Sequence, residues 1–80
     1  RPVPIEMADS VQNGAVYDYE RKTIFVQRGM DGQDLFRSVS LALARAEMAQ
    51  QENSTPQADA FKSYCVSYML CRKYGVDTGV

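Results

Sequence analysis

The sequence of 80 residues predicts one small α+β domain, a β-hairpin or three-stranded antiparallel sheet packed against two long helices. Three observations predict it. Between Ala15 and Gln27 lie two segments rich in β-branched and aromatic residues, separated by Glu20-Arg21-Lys22, which is the pattern of a hairpin. Two longer stretches then repeat apolar residues at threes and fours, the period of a half-buried helix. The composition, 45% apolar and 24% charged, is that of an ordinary globular chain. Its length sits at the lower end of what buries a self-sufficient core.

In order, Arg1-Pro2-Val3-Pro4-Ile5 cannot be helix or central strand, because two prolines remove backbone donors. An extended segment or short edge strand over Val3–Met7 fits. Asp9 to Gly14 reads as loop, with Asn13-Gly14 a strong turn dipeptide. In the hairpin, Ala15–Tyr19 and Thr23–Gln27 are the strands. Tyr17 and Tyr19 share one face, and Ile24 and Val26 oppose Phe25, so one face packs on helices. Asp31 is placed to cap a helix from Gly32 to about Gln51, with Leu35, Phe36, Val39, Leu43 and Ala46 as its stripe. Thr55-Pro56 starts a second helix that runs to about Tyr74, where Gly75 supplies a left-handed cap. Its expected buried stripe is Phe61, Cys65, Tyr68 and Arg72, widened by Tyr64, Met69 and Leu70.

Charge and residue usage narrow the chemistry. The formal net charge is −1 and the isoelectric point about 5.2, so no global field draws the chain to nucleic acid or anionic lipid. The local cluster Lys62, Arg72 and Lys73 reads as a solvated helix face. Cys65 and Cys71 are separated by about 9 Å of helix rise, too far for a disulfide, and free thiols fit a reducing cytoplasm. The chain holds no histidine. Neither cysteine, nor Ser38, Ser40, Ser63 or Ser67, therefore has an imidazole to activate it. Arg28-Gly29-Met30-Asp31-Gly32 lacks the spacing and lysine of a phosphate loop. No apolar run approaches the twenty residues of a membrane span. Without an initiator Met, the expectation is a single domain over 1–80 excised from a larger protein.

Several segments together carry a family resemblance. Tyr17-Asp18 through Ile24-Phe25-Val26, Leu43-Ala44-Arg45-Ala46, and Tyr68-Met69-Leu70-Cys71-Arg72-Lys73-Tyr74-Gly75-Val76-Asp77-Thr78 resemble a minimal zincin. The type is that of antirestriction and ImmA/IrrE-like metallopeptidase domains of bacterial conjugative elements and phages. The closing helix is the most specific match. The resemblance implies a zincin-like core with a metal-binding helix at Ser40–Ala49. It places the first zinc histidine on Leu41, the catalytic Glu on Ala42, the second histidine on Arg45 and the third ligand near Tyr64.

None of these residues can do that work. Zinc takes Cys, His or carboxylate donors around an open position, and its water needs a general base. The expectation is therefore a pseudo-metallopeptidase, not an enzyme, with no metal and no other cofactor. It would serve as a non-catalytic interaction or structural module of a cytoplasmic mobile-element protein. The resemblance also implies an extended peptide held along a sheet edge, expected at Thr23, Ile24, Phe25, Val26 and Gln27. That edge is either covered by Val3–Met7 or mediates association with a peptide, a protein partner or a second copy. The alternative is a nucleic-acid-associated module using Arg45, Lys62, Arg72 and Lys73 with exposed tyrosines. Tyr64 and Tyr68, on a helical stripe, are expected in the core.

Overall fold

A computed structural model describes residues 3–78. It shows the expected α+β class, a three-stranded sheet carrying two helices. The strands are β1 (Ile5–Ala8), β2 (Ala15–Asp18) and β3 (Thr23–Gln27); the helices are α1 (Gly32–Met48) and α2 (Pro56–Tyr74).

The hairpin β2–β3 forms as the sequence predicts, with Tyr17 opposite Ile24 and Ala15 opposite Val26. Asp18 Oδ1 accepts the backbone N–H groups of Glu20 and Arg21, and Lys22 takes the left-handed conformation that lets the chain reverse. The sheet is mixed, however, not antiparallel. β1 lies on the far side of β3 and runs parallel to it, giving the order β1-β3-β2. The reason is the loop after β1, which crosses the C-terminal end of β3. There Gln27 Oε1 accepts the Val11 N–H at 3.1 Å, and Arg28 pairs with Asp9 at 2.8 Å. A short 3₁₀ turn at Gln12–Gly14 then feeds β2. β3 is thus the central strand, and of the two expectations for its edge the first holds: the N-terminal segment covers it.

One sheet face carries Ala15, Tyr17, Ile24 and Val26, all buried under α1 through Ala42 and Ala46. Two alanines let the helix backbone approach the sheet closely. The helix caps follow the sequence reading. Asp31 accepts the Asp34 N–H, Thr55 accepts the Ala58 N–H, and Pro56 occupies the first turn. Gly75 closes α2 at φ +71°, with its own N–H and that of Val76 donating to the carbonyls of Arg72 and Cys71. α1 ends near Met48, a few residues earlier than expected, and its chain unwinds through turns to Ser54.

The rotation of α2 departs from the expected stripe. Asp59, Ser63, Ser67 and Cys71, spaced four apart, are the buried residues. Phe61 is 71% exposed and Met69 67%, and Tyr64 and Tyr68 are exposed as well. Small hydroxyl side chains on this seam satisfy themselves locally. Ser63 donates to the Asp59 carbonyl at 2.6 Å, and Ser67 meets Ser40 of α1 at 3.0 Å. Their burial therefore leaves no polar group unpaired, and their small size permits close helix contact. Among the described residues, no helix is long and apolar enough to cross a membrane.

Candidate functional site

The positions that the resemblance assigns to zinc chemistry separate in space. Ala42 points into the core beneath α1, 4% exposed. Leu41 and Tyr64 come together, lining a cleft of about 540 Å³ between the two helices and the loop before β2. Arg45 is half-buried elsewhere, with its Nε buried and without a hydrogen-bond partner. A leucine, a guanidinium and a phenol offer no ligand set for zinc, and nothing at Ala42 could take a proton from bound water. The residues present do not fit the metal of the family they resemble. Among the described residues, no group of three or more Cys, Asp or Glu side chains gathers where it could hold one.

The cleft has built walls. Tyr64 and Tyr68 of α2 form one side, their rings near-parallel at 29° with centroids 6.5 Å apart. Asn13, Gly14 and Met30 form the other. Gly14 has φ +85°, and a Cβ there would lie 2.6 Å from the Met30 sulfur and 2.9 Å from Ser38 Oγ. Ser38 in turn donates to the Asn13 carbonyl at 3.0 Å, fixing this wall to α1. Arg37 stands at the cleft rim, paired with Asp34 and donating to the Asp77 carbonyl.

Sequence reasoning did not find the polar cluster around Asp59. This carboxylate is 2% exposed and accepts from Tyr19 Oη at 2.9 Å and from Ser54 Oγ. Burial pushes the Tyr19 phenol up to about 12, helped by its hydrogen bond to Asp59 and by that group's negative charge, against the nearby Arg45. Tyr19 is therefore a protonated donor through the whole physiological range. The signal was present in the exact four-residue spacing from Asp59 to Cys71, but the larger aromatic stripe competed with it.

A second concave surface lies beside the sheet edge. α1 crosses the sheet toward β2, so the β1 side of the same face stays uncovered. Ile5, Met7, Leu35, Phe36, Val39 and Leu43 line an almost wholly apolar groove of about 570 Å³ there. Ile5 and Met7 remain about half exposed. The carbonyls of Pro4 and Ala8 accept from β3, so alternation turns the backbone groups of Ile5 and Met7 outward to the open edge. The edge expected at Thr23–Gln27 is thus found one strand away, at Ile5–Ala8.

The basic residues also part company. Lys62, Arg72 and Lys73 are exposed on α2, whereas Arg45 lies apart from them beside Tyr19. The tyrosines expected in the core, Tyr64 and Tyr68, stand on the surface instead. No protein-family model, no curated protein and no solved structure matches this chain.

Proposed function

We propose that this domain is a non-catalytic interaction module that holds a short extended segment of a protein partner along β1. One observation carries the reading: Ile5 and Met7 combine outward-facing backbone groups with side chains that open into an apolar groove. A peptide strand added there gains main-chain hydrogen bonds, while its alternate side chains enter the groove. β1 spans only four residues and follows Pro4, which limits open-ended pairing between copies and favours a short guest. The resemblance to zincins of bacterial mobile elements supports a scaffold that kept peptide binding after losing its chemistry. Free thiols at Cys65 and Cys71 support a reducing cytoplasm as its setting.

The test is amide chemical-shift mapping with a panel of short peptides alternating Val or Ile with polar residues. Shifts concentrated at Ile5–Ala8 and along Leu35–Leu43, abolished by Met7→Asp, are expected. Shifts confined to other surfaces, or none at millimolar peptide, would sink the reading.

A further inference from the structure

We propose that the outer face of α2, together with the cleft it walls, binds single-stranded nucleic acid. The surface is distinct from the β1 groove and rests on separate observations.

The first observation is charge of one sign. The exposed ionic groups of α2 are Lys62, Arg72 and Lys73, and its one carboxylate, Asp59, is buried and hydrogen-bonded to Tyr19 and Ser54. A chain of net charge −1 therefore presents a helix whose exposed ionic groups are all cationic. The acidic group at the cleft, Asp34, is already matched by Arg37.

The second observation is the accompanying rings. Tyr64 and Tyr68 form a near-parallel platform that opens into a cleft large enough for one planar base. The Arg72 guanidinium lies 5.9 Å from the Tyr68 ring centre, and the Lys73 ammonium 5.5 Å from that of Tyr74. Cations set against exposed aromatic rings are the arrangement that holds a single strand, with phosphates on the cations and bases on the ring faces. An acidic peptide would satisfy the charges and leave the rings unused. Duplex DNA would hide its base faces from them. A strand with free bases uses both features.

The experiment is fluorescence anisotropy with a labelled oligothymidylate of about twelve nucleotides, a length within the usual site size of single-strand binders. Three phosphate contacts give a log–log salt slope of about −2, or about 20-fold weaker binding on going from about 50 to 200 mM salt. Tyr68→Ala and Tyr64→Ala should each weaken binding by about 5- to 160-fold. Lys62→Gln should flatten the slope by about 0.7. Tyr68→Leu keeps the apolar bulk and should lose the same affinity with an unchanged far-UV spectrum, which separates stacking from folding. The proposal is overturned by any of three results: no binding at 50 mM salt, equal binding of poly-glutamate or duplex, or tyrosine variants that bind like the parent.

Discussion

Asp59 is the side chain on which α2 is hung. From the first turn of that helix it reaches Tyr19 at the end of the hairpin and Ser54 in the connection, so three separate segments share one buried charge. Asp59→Asn keeps the shape but removes the charge, and should lower stability by about 1.5–3 kcal/mol in urea titration, as lost charged hydrogen bonds do. The same cluster sets a pH limit. An unfolded tyrosine titrates near 10.0, while folded Tyr19 holds its proton up to about 12. The stability tied to that proton is complete below pH 10 and is lost as pH rises toward 12. Thermal melts across this window should show a steeper decline for the parent than for Tyr19→Phe; parallel declines would remove Tyr19 from the account. Gly14 is the other residue with a fixed identity. Its positive φ and the Met30 sulfur behind it leave no room for a Cβ, so Gly14→Ala should destabilise by more than about 1 kcal/mol.

At the scale of elements, strand position and helix rotation decide what a substitution does. β3 is paired on both sides, and the alternation set by Ile24 and Arg28 points the Val26 N–H at β1. Val26→Pro deletes that donor inside the sheet and should abolish the cooperative unfolding transition, a result checked by circular dichroism. On α1, the sequence reading expects Leu43 to be held by packing, but the leucine is 43% exposed at the groove. Leu43→Ala should therefore cost about 1 kcal/mol, whereas Ala46→Leu, at a site 1% exposed against the sheet, should cost about 1–3 kcal/mol by overpacking. A urea midpoint moved more by the first than by the second would reverse this assignment.

These elements also show what the sequence made legible. Asp31, Thr55, Pro56 and Gly75 bound their helices as read, because caps are local and depend on a few neighbouring backbone groups. The hairpin was local too. The parallel place of β1 was not readable, since it depends on where a six-residue loop crosses β3. Nor was the face of α2, because two stripes satisfied the same helical period. The larger apolar stripe suggested itself, and the smaller hydroxyl stripe was the one that fits against α1. The candidate surfaces inherit both difficulties, and so moved from β3 to β1 and from core to exterior.

The whole molecule is compact in its Cα trace yet generous in surface. Its radius of gyration is 12.1 Å, close to the roughly 11.6 Å of a packed chain this long. Its accessible area is 5659 Å², against roughly 4,900 Å² for a compact chain of 9.0 kDa. The β1 groove and the α2 exterior account for most of the large apolar side chains left in water, which is why both proposed contacts fall there. Zinc should have no part in its stability: with no ligand set at Leu41, Arg45 and Tyr64, stoichiometric Zn²⁺ should leave the melting temperature unchanged, and a clear rise would contradict the pseudo-enzyme reading. The seam between the helices has a kinetic consequence. α2 meets α1 through Cys71, the Phe36–Tyr74 ring pair and one hydroxyl, that of Ser67, which joins Ser40 Oγ and the Arg37 carbonyl, so opening the seam returns that hydroxyl to water. Once Asp59 releases Tyr19 and Ser54, α2 should open as a unit ahead of β2, β3 and α1. Amide hydrogen exchange should register this as two tiers, with α2 releasing its protons well before Ile24 and Val26 give up theirs.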